Sequence, residues 1–259
     1  MSEQQNWLDE LDERSRQKQE AFLNNIASRL GRPRQTTPPL YPFKGAPDFW
    51  KQFTFDPEEK VSVFTRNFSA AGGHVICTDD MEGARRSIIE LMDGMKVQRI
   101  LRQDQPELEQ LGLELALPDA EVLVWNRDEG ENDGLGRGEG QGCRAVDWRA
   151  KAAGADIGIV LADYAVSYTG SIVVLSGETK GRSVSLLPAV LIAVIPVSSL
   201  VTRLGEVLEN FGDMGRERLP AGIHFISGPS RSADIENDLT IGVHGPGVVY
   251  AILVEASPL

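Results

Sequence analysis

Three short segments in the second half of this 259-residue chain combine backbone freedom with polar side chains suited to holding an anion. They are Ser167-Tyr168-Thr169-Gly170-Ser171, the run from Ile226 through Gly228, Pro229, Ser230, Arg231 and Asp234 to Glu236, and Ile241-Gly242-Val243-His244-Gly245-Pro246. Glycine lets a ligand approach the main chain, and hydroxyls beside free amides can donate to an oxyanion or phosphate. Thr169, Gly170 and Ser171 suit such a cradle as well as they suit a tight hairpin whose glycine takes an unusual dihedral angle. In the second segment Ser230 or Ser232 can cap a helical turn and bring Arg231 to a helix start, where anions bind. A self-contained cap, with Arg231 paired to Asp234 or Glu236, is the competing reading. His244 is the histidine best placed for chemistry, because glycines and a proline constrain its loop, whereas His224 reads as a packed or surface strand residue.

The link Ser176-Gly177-Glu178-Thr179-Lys180-Gly181-Arg182 is glycine-rich and charged. Arg182 can grip a carboxylate or phosphate through two parallel N–H bonds, or sit in a fixed ion pair, while Glu178 and Lys180 read as solvated loop residues. The expected ligand-binding set is therefore Thr169, Gly170, Ser171, Arg182, Ser230, Arg231, Asp234 and His244. Other chemistries find no footing. HExxH, HxxxH and Cys/His clusters are absent, which argues against a transition-metal site, and no GxSxG elbow occurs. Gly134-Leu135-Gly136-Arg137-Gly138 does not open a strand–helix unit, so no dinucleotide site is indicated. Cys77 and Cys143 are too few for a four-thiolate iron–sulfur cluster, and this chain is expected to hold no redox cofactor of its own.

These residues need a scaffold, and apolar periodicity supplies one. Trp7, Leu8, Leu11, Phe22, Leu23, Ile26 and Leu30 recur at helical spacing, and Pro33, Pro38 and Pro39 then break the chain. Residues 1–46 thus read as a helical arm with a proline-rich linker, either packed on the body or contacting a neighbouring subunit, and 47–259 as the main domain. Asp56-Pro57-Glu58-Glu59 opens a helix that Gly72-Gly73 closes. Short strands are expected at His74–Cys77, Val97–Leu101, Glu121–Trp125, Ile157–Leu161, Ile172–Leu175, Val190–Ile195, Ile223–Ile226 and Val248–Val254. Helices are expected between several of them, at Thr78–Met92, Asp147–Ala153 and from Ser198 through Phe211. Uniformly apolar strands alternating with helices predict an α/β protein with a mostly parallel, helix-flanked sheet. In such a sheet the loops after Leu161, Leu175 and Ile226 would meet at one edge. Residues 127–142 read as an exposed loop of glycine and acids.

The bulk numbers set the remaining bounds. Hydrophobic residues make up 41% of the chain, as in an ordinary globular protein, and 26 basic against 38 acidic side chains leave a net charge of −12. That surface repels nucleic acid and anionic lipid, so neither is an expected partner. The longest apolar run, Leu186–Val197, is broken by Pro188 and Pro196 and falls short of the ~20 residues a membrane helix needs. Met1–Gln5 leads into acidic sequence rather than an apolar signal core, and the expected location is cytoplasmic.

From Ala155-Asp156-Ile157-Gly158-Ile159 onward, the chain resembles the LUD-domain family of lactate utilization proteins. The resemblance rests on the Thr169-Gly170-Ser171 turn, Arg182 before Ser185-Leu186-Leu187-Pro188, the Ile226–Glu236 and Gly242–Pro246 stretches, and Phe22–Ile26 with Leu30-Gly31-Arg32 near the start. It implies a fold related to CoA transferases and sugar-phosphate isomerases. It also implies a part in L-lactate oxidation to pyruvate beside iron–sulfur partner proteins, with a small carboxylate as a natural ligand. The alternative is an enzyme of the CoA-transferase or isomerase type acting on a small anionic or acyl substrate. Many members of the family carry glutamate directly before Thr-Gly, where this chain has Tyr168. The covalent acyl chemistry of the CoA transferases needs such a carboxylate, and Glu178 is the nearest substitute.

Overall fold

The computed structural model describes residues 3–34, 37, 48–127, 147–212, 214–232 and 239–255. Most of the acidic loop expected at 127–142, much of the linker expected at 32–46, and Cys143, Asp234 and Glu236 lie outside the described residues. The chain divides into two compact units, Met1–Gln52 and Phe53–Leu259. The first holds α1 (Glu3–Arg29), where the apolar spacing placed a helix, and a short α2 (Asp48–Gln52). Among the described residues no helix is long and apolar enough to cross a membrane.

The second unit opens with α3 (Pro57–Ala70), whose start follows the local chemistry of its sequence. The Asp56 carboxylate accepts the Glu59 amide at 2.8 Å, proline occupies the first turn, and Glu58 and Glu59 lie at the positive end of the dipole. Its Phe64 and Phe68 are fully buried and stack with ring centroids 5.4 Å apart. There follow β1 (His74–Thr78), α4 (Met81–Asp93), β2 (Arg99–Arg102), α5 (Pro106–Glu109), α6 (Leu113–Ala116), β3 (Glu121–Val124), α7 (Trp148–Ala153) and β4 (Ile157–Leu161). The chain continues through β5 (Tyr164–Val166), β6 (Ser171–Ser176), α8 (Arg182–Leu186), β7 (Val190–Pro196), β8 (Leu200–Val201) and α9 (Leu204–Gly212). It closes with β9 (Gly222–Ile226), β10 (Arg231–Ser232), β11 (Thr240–Ile241) and β12 (Val248–Val254).

Six strands form a wholly parallel sheet in the order β1-β12-β7-β4-β2-β3. Ile100, Ile159, Ile192 and Ile252 pack on one face with Ile88 of α4 and Leu108 of α5. Leu101, Val160, Leu191 and Ala251 pack on the other with Phe64, Phe68, Ala152 and Val184. The fold is therefore the parallel, helix-flanked α/β architecture that the strand pattern predicts.

Three local expectations need correction. Ile172–Leu175 is not a strand of the parallel sheet: it lies in β6 of a separate four-stranded sheet, β8-β5-β6-β9, where β6 is antiparallel to both neighbours. This second sheet is also covered on both faces, with Ile172 and Val174 in the main core and Val173 against Val207 of α9. A uniformly apolar run therefore could not tell it from a central parallel strand. Leu200-Val201 is β8 rather than the first turn of a helix, because main-chain bonding to β5 takes precedence: Ser167 N–H donates to the Val201 carbonyl at 2.9 Å and Tyr168 N–H to that of Thr202 at 3.1 Å. Finally, Ser230 and Ser232 start no helix at Arg231, since Arg231 and Ser232 are extended and pair with Ile241 and Thr240.

Candidate functional site

Antiparallel pairing decides which predicted residues can meet. In the β6–β9 ladder, Ile172 faces Ile226 and Ser176 faces Gly222, so the start of β6 adjoins the end of β9. Thr169 Oγ1 and Ser171 Oγ lie 2.7 Å apart, and Ser171 Oγ lies 2.7 Å from Ser227 Oγ, forming a chain of three hydroxyls. Gly170 has φ 58°, the left-handed region its hairpin requires, and presses on the last turns of α3. Asn67 of α3 locks that hairpin by donating to the Ser167 carbonyl at 3.1 Å and the Tyr168 carbonyl at 2.8 Å. Tyr168 stands edge-on to Phe53 with centroids 5.6 Å apart.

The second and third predicted segments gather at the same place. The Arg231 guanidinium donates to the Ala71 carbonyl at the C-terminal end of α3, where its charge complements the negative end of the helix dipole. Ser230 holds the third segment through its main chain, donating to the Pro246 carbonyl and accepting from Gly242, both at 2.9 Å. His244 is exposed in that loop. Thr169, Gly170, Ser171, Ser230, Arg231 and His244 are thus grouped around the end of α3 and the amino ends of β1, β7 and β12. Asp234 lies outside the described residues.

Arg182 is not with them. The loop before it crosses the carboxyl ends of β2, β3 and β4, at the opposite edge of the parallel sheet. Asp104 N–H donates to the Thr179 carbonyl at 3.0 Å, Trp125 Nε1 to the Glu178 carbonyl at 3.1 Å, and Gln105 Nε2 to Thr179 Oγ1 at 2.8 Å. Arg182 itself is exposed and lines, with Arg149, Ser183 and Leu187, a concavity of about 230 Å³ between α7 and α8.

This carboxyl edge holds chemistry that the motif reading assigned to solvent or passed over. Lys180 Nζ donates to Asp163 Oδ1 at 2.6 Å, and Asp163 Oδ2 accepts the Leu175 amide at 2.8 Å. The lysine and aspartate side chains are only 22% and 14% exposed, so the pair is poorly screened and geometrically fixed. Gln103, fully buried at the end of β2, accepts the Leu161 amide at 3.0 Å through Oε1, while its Nε2 has no partner among the described residues. An unsatisfied buried amide donor costs about 1–3 kcal/mol, which an acceptor oxygen from water or ligand would remove. The neighbouring buried Arg102 is satisfied, with Nη2 2.6 Å from Glu114 Oε1, and reads as structural.

Topology singles out the same spot. From β2 the chain moves outward to β3, and from β4 it returns the other way to β7. The crevice between the carboxyl ends of β2 and β4 is therefore a topological switch point, the usual ligand position in open α/β sheets. A sequence signal did exist for one of them: Asp163 is the first polar side chain beyond the uniformly apolar β4, whereas Gln103 follows the arginine that ends β2.

Close by, Ser176 Oγ lies 2.9 Å from His224 Nε2. Burial, and then the positive charge of Arg182, push the His224 pKa below its ordinary value, which keeps the ring neutral at neutral pH. Among the described residues no cluster of three His, Cys, Asp or Glu side chains is placed to hold a metal.

Relatives place this architecture. The LUD domain model matches residues 61–254. The chain is 38% identical over 242 residues to Lactate utilization protein C of Halalkalibacterium halodurans, covering 92% of this chain and 98% of that one. It is 33% identical over 239 residues to Lactate utilization protein C of Shouchella clausii, with 91% and 97% covered, and 33% identical over 253 residues to that of Bacillus subtilis, with 92% and 96% covered. A crystal structure of a DUF162 family protein from Deinococcus radiodurans superposes with a TM-score of 0.50 at 17% identity, over 77% of this chain and 99% of that one, a likeness of fold alone. With the family model spanning the parallel sheet from α3 to β12, and relatives of the same length aligned nearly end to end, the chain belongs to the LUD domain family.

Proposed function

We propose that this chain serves L-lactate utilisation as a carboxylate-binding subunit beside iron–sulfur partner proteins that carry the electrons. The observation that carries this reading is the near-complete alignment with proteins called Lactate utilization protein C. The chemistry of the chain supports the division of labour. Converting L-lactate to pyruvate releases two electrons and two protons, and two cysteines cannot ligate a cluster to receive them. What the chain offers instead is a cation and an amide donor at the switch-point crevice, Lys180 and Gln103, suited to a carboxylate oxygen.

The test is reconstitution. The purified chain alone should give no L-lactate-dependent dye reduction. Iron–sulfur partner proteins of a lactate-utilising system should give turnover that rises when the chain is added. Lactate oxidation by the chain alone, or partners whose rate ignores its addition, would overturn the proposal.

A further inference from the structure

The apolar row shared by β6 and β9 ends in three residues of a different kind. Ile172 and Val174 of β6 and Ile226 of β9 share a face with Ser176, Gly222 and His224, because every second residue of a strand points the same way. The first three pack on the main core, whereas Ser176 Oγ and His224 Nε2 meet at 2.9 Å. Gly222, opposite Ser176, has no positive φ that would call for glycine. What it provides is space: a methyl carbon there would lie 3.1 Å from His224 Nε2 and 3.4 Å from Ser176 Oγ. Glycine inside a strand costs stability and often marks a point of close approach. Gly222 and His224 both reach solvent, which gives a small molecule a way to the more buried hydroxyl. A cation stands beside the pair. Arg182 is near enough for its charge to act on the His224 ring, and with Arg149 and Ser183 it lines the concavity between α7 and α8. Neither guanidinium is paired among the described residues.

We propose that Ser176 and His224 are the nucleophile and general base of a site that hydrolyses esters of anionic acids, with Arg182 holding the anion. Ser176 Oγ adds to the ester carbonyl carbon as its proton passes to His224 Nε2. The bond from that carbon to the alcohol oxygen breaks, and the alcohol leaves with the same proton. Water then attacks the acyl–serine through His224, releasing the acid and restoring the Ser176 hydroxyl. Nothing is oxidised or reduced, so this activity is independent of lactate oxidation. Arg182 makes the step selective. In the free protein burial, and then the Arg182 charge, hold the imidazole neutral, able to accept a proton but opposed to keeping it. A substrate anion on Arg182 offsets that charge and makes His224 the better base, whereas a neutral ester leaves the opposition in place. A purely structural bond between two strands would account for the 2.9 Å distance, but not for the glycine and the unpaired cation beside it.

The test uses the full chain in two assays. Treatment with diisopropyl fluorophosphate, followed by peptide mass spectrometry, should find the phosphoryl group on Ser176 of the wild type, and His224→Gln should label about a hundredfold more slowly. The p-nitrophenyl monoester of adipic acid and p-nitrophenyl hexanoate have acyl chains of equal length, but only the first carries a carboxylate. The wild type should favour the adipate ester in kcat/KM by roughly tenfold or more, and Arg182→Gln should lose most of that preference. Ser176→Ala should return adipate hydrolysis to the rate in buffer, with the urea transition retained. Should a variant of Ser176 or His224 fail to fold, wild-type labelling and the Arg182→Gln preference still decide. An unlabelled Ser176 in the folded wild type, equally fast labelling of His224→Gln, hydrolysis that survives Ser176→Ala, or a preference that Arg182→Gln leaves intact would each overturn the proposal.

Discussion

At the scale of single residues, Lys180 and Asp163 change most in meaning between sequence and structure. In the linear chain Lys180 sits in a charged glycine-rich loop and resembles solvated surface, whereas in the fold it is bound to Asp163, two residues beyond the Leu161 amide that Gln103 accepts. Lys180→Met keeps the aliphatic stem and removes the charge. If lactate or pyruvate is held here through a charge-assisted bond, the variant should bind either acid about 1.5–3 kcal/mol more weakly by calorimetry. Because the substitution leaves Asp163 partly buried without its partner, Asp163→Asn in the same chain should restore folding stability without restoring binding. Equal affinity in wild type and Lys180→Met would remove the crevice from consideration. His224 makes a separate, pH-dependent prediction. Its folded pKa lies below the ordinary 6.5, so between those values the unfolded chain binds more protons. This contribution is fully present above about pH 6.5 and is lost as pH falls through the folded pKa. Relative to His224→Gln, the wild type should therefore lose stability between about pH 7.5 and about pH 5, a difference that cancels the carboxylates common to both proteins. A constant gap in urea midpoint across that range would mean that the imidazole titrates freely.

Elements explain why some assignments were legible and others were not. The start of α3 was plain from Asp56, Pro57 and the acids behind it, because capping is local chemistry. The wholly apolar β4 and β7 were equally plain, since burial on both faces erases polar alternation. That same erasure hid the second sheet: the Ile172–Leu175 interior of β6 is as apolar as β4, yet the strand turns back antiparallel and sends Arg182 to the far edge, away from Thr169 and Arg231. Long-range pairing of this kind leaves no mark in a strand's own residues. The Tyr168-Thr169-Gly170-Ser171 turn shows how a polar loop can owe its composition to packing. A methyl carbon at Gly170 would lie 2.6 Å from the Phe68 nitrogen and 2.7 Å from the Asn67 carbonyl carbon, in addition to the strain of φ 58°. Gly170→Ala should therefore destabilise the chain by about 2–4 kcal/mol in urea, through the left-handed dihedral and through displacement of the hairpin from α3. A loss near the few tenths of a kcal/mol typical of an open surface loop would show that the hairpin can lift away freely, leaving ligand contact as the stronger reason for the glycine.

For the molecule as a whole, the six-stranded sheet is the element that must not move if loops at either edge are to stay in place. Its central strands bear load on both faces: Leu191 and Ile192 are successive residues of β7, both fully buried, yet Leu191 joins the core beneath α3 and the second sheet while Ile192 joins the core beneath α4 and α5. A half-solvated antiparallel sheet would tolerate truncation at one of two such neighbours. Here Leu191→Ala and Ile192→Ala should each cost about 2–5 kcal/mol, the range for deleting a large aliphatic side chain from a packed interior. Because the two side chains point into cores separated by the sheet, their effects should add in the double variant to within about 0.5 kcal/mol, so far as the doubly truncated chain still folds. Equilibrium unfolding in urea measures all three. A cost below about 1 kcal/mol at either position would mean that one face of the sheet is open to water, and that the layer carrying Lys180 and Arg182 is not anchored on the core as described.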